Sequence, residues 1–251
     1  MTRAEADKIL FIAVSMGEAL LGCGAEVARV EDTVTRIVLA YGAEAVDVFS
    51  LPSTLFATIT FNRFETKTQS RRIRNVSTDM TKLDKLNELS REICADTPDP
   101  EEVEDRIEEI IKGPKYNYAL QVIAYALVAG GFAVFFGGSV TDGFAAALLG
   151  ASLRFIESGF RKMSSNKLLV ALLWSLTGGF LASILVAFQI GESLEMISIG
   201  CIMLFIPGVA FTNSIRDLFV GDTITGLSRF IEAVVLAVTI ALGFTLASFV
   251  H

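Results

Sequence analysis

Histidine is nearly absent from this 251-residue chain: there is one, His251, and it is the final residue. Cysteine is scarce and scattered, at Cys23, Cys94 and Cys201. That set has no metal-ligand spacing, and its odd number implies no disulfide framework. No G-x-x-x-x-G-K-[ST] run occurs, so the sequence encodes no phosphate-cradling loop for ATP. Positive charge is in deficit, with a formal net charge of −7, which argues against a nucleic-acid partner. The opening MTRAEADKIL lacks the clean apolar stretch and small-residue cleavage site of a secretory signal. No nucleophile–base arrangement stands out, so the expectation is a chain that is not an enzyme and has no cofactor and no metal.

The most informative absence is regional. Through Tyr116 there are 15 Lys+Arg and 21 Asp+Glu; beyond it only 6 and 7 remain. The chain is 52% hydrophobic, with a mean hydropathy of +0.56. The excess lies after Tyr116, in runs long enough for helices to cross the ~30 Å hydrocarbon layer of a bilayer. The expected fold is an α+β cytoplasmic N-terminal domain, 1–115, followed by an all-α polytopic membrane domain, 116–251, of about five transmembrane helices.

In the first part, Ile9, Ile12, Ala13, Met16, Ala19 and Leu20 mark a helix from about Glu5 to Cys23. Val27, Val30, Val34, Ile37, Val38 and Tyr41 mark a second, ended by Gly42. The period then falls to two. Val46 and Val48 begin one strand; Leu55, Ala57, Ile59 and Phe61 form another after Pro52; a third runs from Lys67 to Arg74, with a turn at 62–66. Helices follow from Thr78–Asp79 and from Asp99–Pro100, the latter stopped at Gly113–Pro114.

Five spans fit the second part: 117–136, 141–158, 168–190, 196–215 and 228–250. Arg154, Arg161, Lys162 and Lys167 flank one connection, and Arg216 and Arg229 another. The opposite loops hold Asp142, Glu192 and Glu195 and no basic residue. Cytoplasmic loops concentrate Lys and Arg, so the N-terminal domain is expected in the cytoplasm and His251 on the far side. The second span is rich in small residues, from Gly143 to Ser152, suited to close helix packing within the chain or against a partner.

The fourth span carries Pro207–Gly208. Proline withdraws a backbone donor, and a break at membrane depth persists only where protein or a wet cavity surrounds it. Transporters use broken helices to hold polar substrates; a plain kink is the alternative. Pro207, Gly208, Asn213, Arg216 and Asp217 are therefore the candidate substrate-binding or pathway residues. Arg216 suits a carboxylate and also suits a simple membrane anchor; Asn213 suits a polar ligand or the backbone groups freed by Pro207. Candidate proton carriers are Asp217, Asp222 and Glu232, with Glu157 a weaker one. Glu157 stands three residues from Arg154, and Glu232 three from Arg229, spacings that favour helical ion pairs. Glu26, Arg29 and Glu31 open the second helix as a charged group, either a solvated face or a domain contact or gate. Arg71, Arg72 and Arg74 form an exposed basic strand or touch lipid headgroups.

The run Gly24-Ala25-Glu26-Val27-Ala28-Arg29-Val30-Glu31-Asp32, with Ala40-Tyr41-Gly42, resembles the N-terminal signature of the threonine/serine exporter family. Ile206-Pro207-Gly208-Val209 through Thr212-Asn213-Ser214-Ile215-Arg216-Asp217, with Gly221-Asp222 and Gly226-Leu227-Ser228-Arg229, resembles its second signature. The resemblance covers essentially the whole chain. It implies an inner-membrane exporter of small polar metabolites with a cytoplasmic domain ahead of the spans. Single-chain members carry a second bundle of spans, whereas this sequence ends at His251. It is thus similar to the larger subunit of a split form whose partner is a small membrane subunit, making a hetero-oligomer in the lipid bilayer. A split relative is associated with succinate, so the resemblance implies threonine, serine or a dicarboxylate as substrate. The rival expectation is a non-transporting membrane regulator whose soluble domain senses a metabolite or partner.

Overall fold

The computed structural model describes residues 3–61, 65–74, 76–114, 116–163 and 166–249, with the backbone alone at 65 and 161–163. Ten helices and three strands run through these residues, so the chain is mostly helical with one small sheet. It divides into two units. The first comprises Met1–Pro114 with Thr212–Phe230, the second Lys115–Phe211 with Ile231–His251.

In the first unit α1 (Arg3–Gly22) and α2 (Val27–Ala40) are joined by a turn at Gly24, whose φ of +89° suits glycine. An antiparallel meander follows, of β1 (Ala45–Leu51), β2 (Thr54–Phe61) and β3 (Glu65–Arg72), in the order β1-β2-β3. The register pairs Val48 with Ala57 and Ile59 with Lys67. The turn expected at 62–66 falls largely on 62–64, outside the described residues. Next come α3 (Met80–Asp96), capped by Asp79 accepting from Lys82 N at 3.1 Å, and α4 (Pro100–Lys112), capped by Asp99 accepting from Glu101 N at 2.9 Å.

The core of this unit is built of large aliphatics. Ile12, Met16 and Leu20 of α1 meet Val30, Val34 and Ile37 of α2, Leu55 and Ile59 of β2, and Leu86, Leu89 and Ile93 of α3. A Cβ at Gly17 would stand 2.5 Å from Leu55 Cδ2 and 2.9 Å from Val34 Cγ2, so only glycine lets α1 lie this close to β2 and α2.

The second unit is built differently. Its elements are α5 (Tyr118–Phe135), α6 (Val140–Met163), α7 (Lys167–Ala187), α8 (Leu194–Ile202), the start of α9 (Gly208–Val220) and most of α10 (Thr223–Ser248). Helices α5, α7 and α10 are long and apolar enough to cross a membrane. The region expected as a fourth span, 196–215, is interrupted after Ile202 and resumes at Gly208, leaving helices of 9 and 13 residues.

Small residues make the seams here, and they do so within the chain. Gly130 of α5 faces the Gly143 carbonyl of α6, where an added Cβ would come within 2.7 Å. Gly150 faces Tyr125 and Ala129 of α5, and Gly200 of α8 lies on the carbonyl of Ala129. Ala129, Ala133, Ala145 and Ala146 are fully buried. Large apolar side chains point outward: Leu127 is 70% exposed, Phe135 77% and Phe144 64%.

Candidate functional site

The break in the fourth apolar stretch begins where Pro207 has no N–H to give. Tighter turns take up part of the loss: Leu204 N donates to Cys201 O, Phe205 N to Ile202 O at 3.0 Å, and Gly208 N to Ile206 O at 2.7 Å. Helix resumes with Phe211 N donating to Pro207 O at 2.9 Å. Pro207 is half-buried and Gly208 exposed, with nothing within 4 Å of a Cβ added to Gly208. Both residues belong to the second unit, whereas Asn213, Arg216 and Asp217 belong to the first.

Within the first unit the two segments singled out in the sequence meet. The turn from α9 to α10 passes through Gly221, at φ +101°, and Asp222 N donates to Asp217 O at 2.9 Å. A Cβ at Gly226 would lie 2.7 Å from Leu218 Cγ and 2.8 Å from Ser214 O, so glycine is what lets the start of α10 press on α9. That corner brings Arg229 to Asp217, with Nη1 donating to Oδ2 at 3.3 Å. Arg229 Nη2 also donates to the Ala25 carbonyl at 3.1 Å, just ahead of α2. Side chains of Arg229 and Asp217 are 11% and 4% exposed, so this is an ion pair largely out of water. Beside it Arg216 Nη1 reaches Glu26 Oε1 at 2.8 Å, with Arg216 mostly exposed.

Glu31, one turn along α2, accepts from Ser50 N at 2.6 Å and from Ser50 Oγ at 3.2 Å. Burial pushes its carboxyl above the ordinary range; the two Ser50 donors oppose that, and Asp222 and Asp47 add to it. The site therefore gathers four carboxylates and two guanidiniums. It can accept a proton at the raised Glu31 carboxyl, and it can release Arg216 from Glu26 toward a passing anion.

Arg29 lies exposed on α2, apart from these contacts; Asp32 pairs with Arg36 at 2.8 Å on the solvated face. Asn213 is half-buried on α9 and Glu232 exposed on α10. The helical pairing of Arg229 with Glu232 is not what forms, because Asp217 and the Ala25 carbonyl take the guanidinium instead. The Glu157–Arg154 pair does form, at 3.6 Å, and Tyr125 Oη donates to Glu157 at 2.8 Å. Arg71 faces Glu18 at 3.4 Å and stacks over Phe11, so that residue is engaged inside its own unit. The side chains of Arg161 and Lys162, and all of His251, lie outside the described residues. Among the described residues no group of three or more His, Cys, Asp or Glu is placed to hold a metal ion.

Two features escaped the sequence reading. The Ala25 carbonyl has no side-chain signal at all. Asp142, 2% exposed at the start of α6, accepts from Ser139 N and Oγ, and from Glu192 N and Ser193 N at 2.7 and 2.8 Å. It staples the α5–α6 and α7–α8 connections together. The Ser139-x-x-Asp142 spacing of a capping box was the available signal for its first half.

Set beside known proteins, residues 12–250 match the family described as "Putative threonine/serine exporter". The curated threonine/serine exporter of Corynebacterium glutamicum is 24% identical over 259 aligned positions, covering 97% of this chain and 52% of the relative. The chain thus spans about half the length of that relative. No solved structure matches it.

Proposed function

Because the chain belongs to the threonine/serine exporter family and is an integral membrane protein, we propose that it is the larger part of a secondary exporter moving small carboxylate-bearing metabolites out of the cytoplasm. In this reading the polypeptide crosses the inner membrane five times, through α5, α6, α7, the interrupted α8–α9 stretch and α10. Residues 1–115 stand on the cytoplasmic side. Half of the curated relative has no counterpart in this sequence, and the proposal assigns that part to a separate small membrane subunit in a hetero-oligomer. Threonine, serine and a dicarboxylate such as succinate are the substrates to try first.

One observation carries the reading. The segment following the Pro207 break is held to the start of α2 by Arg216–Glu26 and by Arg229 bridging Asp217 and Ala25, with the raised Glu31 carboxyl one turn along α2. A broken apolar helix leading into a proton-accepting, guanidinium-bearing cluster is the combination a gradient-driven carrier of carboxylates uses. The test is efflux of labelled threonine, serine and succinate from vesicles containing the chain and its partner. Wild type should move at least one of them, and Asp217→Asn and Pro207→Ala should abolish efflux while the protein stays in the membrane. Normal efflux in both variants removes this site; no efflux from wild type removes the exporter reading.

A further inference from the structure

Within the second unit the interrupted α8–α9 stretch is packed at one end and bare at the other. In α8, Ile197 and Cys201 are fully buried, and a Cβ at Gly200 would come within 2.4 Å of the Ala129 carbonyl of α5. Past the break that packing stops. Ile206 and Val209 are 42% and 44% exposed, and Gly208, Ala210 and Phe211 are exposed as well. Residues 208–211 make a full helical turn, so the exposure runs round the helix rather than along one face. The backbone is bare there too. Pro207 has no N–H for the Met203 carbonyl, and Gly208 N turns to Ile206 O at 2.7 Å instead of Leu204 O. Regular bonding resumes only with Phe211 N on Pro207 O. The carbonyls of Met203, Leu204 and Phe205 find no donor among the described residues.

Neither lipid alone nor water alone answers both features. Hydrocarbon offers no donors, and irregular backbone at membrane depth persists only against protein or a wet cavity. Water satisfies the carbonyls but leaves the apolar turn Gly208-Val209-Ala210-Phe211 wet around its circumference. A protein surface that is mostly apolar and carries a few hydroxyl or amide donors meets both demands. About half of the Corynebacterium glutamicum relative lies outside the match, so an exporter of that length has further chain to supply such a surface.

We propose that the break is the docking surface for a membrane-spanning helix of the exporter's other half, an apolar helix bearing Ser, Thr, Asn or Gln donors for the Met203, Leu204 and Phe205 carbonyls. This rests on the reading of the chain as the larger of two subunits and adds where the two join: the passage beside Pro207 has one wall from each polypeptide. Two glycines separate this surface from a lipid-facing one. Gly208 and Gly131 of α5 both have nothing within 4 Å of an added Cβ, so leucine at either position fits this chain. The tagged full chain is purified in mild detergent with the membrane polypeptide that accompanies it in equal amount. Gly208→Leu should lower recovery of that polypeptide by on the order of tenfold, with the chain's helical circular dichroism unchanged. Gly131→Leu should recover it as wild type does. No accompanying polypeptide, unchanged recovery with Gly208→Leu, or equal loss in both variants overturns the surface. Benzoylphenylalanine in place of Val209 gives a second reading: light should join it to the same polypeptide, whereas adducts only to lipid or within the chain overturn the docking. Vesicle efflux separates the two readings. Efflux by this chain alone sinks the docking and leaves an exporter; a Val209 adduct to a polypeptide that gives no efflux leaves the docking and sinks the exporter.

Discussion

The two units solve the packing problem in opposite ways. In the first, large aliphatics such as Ile12, Leu55 and Leu89 are driven inward and charged residues such as Lys8, Asp32 and Arg36 face water. In the second, alanine and glycine fill the seams while Phe135, Phe144 and Leu127 face outward. Water rewards hiding apolar surface, so unit one gathers its bulk at the centre. Lipid tails are as apolar as leucine and give no such reward, so close backbone approach through small residues holds helices together instead. Charge does not follow the same division: unit one has solvated pairs such as Lys8–Glu101 and also the buried Arg229–Asp217 pair, while unit two holds buried Asp142 and Glu157 and also exposed Lys167, Glu192 and Glu195.

The sharpest way to break this contrast is at the glycine seams. Gly150→Leu places a Cβ 2.7 Å from both Ala129 Cβ and the Tyr125 carbonyl, and backbone cannot yield as a side chain can. It should cost about 3 kcal/mol or more and show as lost folded protein on size exclusion in detergent. The same change at Gly131, which has nothing within 4 Å, should be tolerated; equal damage at both sites would deny the seam. Next in size is Arg229→Ala, which leaves Asp217 buried without its cation and should cost about 3 kcal/mol. The double variant with Asp217→Ala should recover part of that in thermal melting, since the stranded charge goes too.

Asp142→Ala comes third. It strips the Glu192 and Ser193 amides and the Ser139 amide and hydroxyl of their acceptor, and should lower stability by about 2 kcal/mol. Proteolysis at the α7–α8 connection should rise in step. The smallest effect is one of pH. Burial lifts the Glu31 carboxyl, so the folded state keeps that proton to higher pH than the unfolded chain does. Its contribution is therefore fully present below about pH 4.3, the ordinary glutamate value, and is lost as pH rises through the raised value. Glu31→Gln keeps an acceptor for Ser50 and should flatten the melting-temperature profile across that window. A steeper profile in the variant would contradict the assignment.

Much of this was legible residue by residue. Stripes such as Val27-Val30-Val34 and alternation such as Leu55-Ala57-Ile59 report a face against a core, and Asp79 and Asp99 report helix starts, because each signal is local. The charge boundary near Tyr116 is equally local, whereas the joining of Thr212–Phe230 to the unit that holds Met1–Pro114 is not. The fourth apolar stretch was harder: Pro207 announces a break, yet the length of that break depends on turns that composition does not encode. Ion pairs were least legible. Arg154–Glu157 forms at the spacing that local rules favour, whereas Arg229 passes over Glu232 for Asp217, a choice made only once Gly226 lets α10 close on α9.

The amino-acid order alone therefore determined where helices and strands begin, which faces are apolar, and which half can enter a bilayer, since those follow from neighbours a few residues away. Only the tertiary structure decided that Ala25 and Glu26 meet Arg229 and Arg216 across roughly two hundred residues, and that the Glu192 and Ser193 amides close on Asp142. Such meetings depend on how close two backbones come, and a gap of one methyl group is enough to make or prevent them.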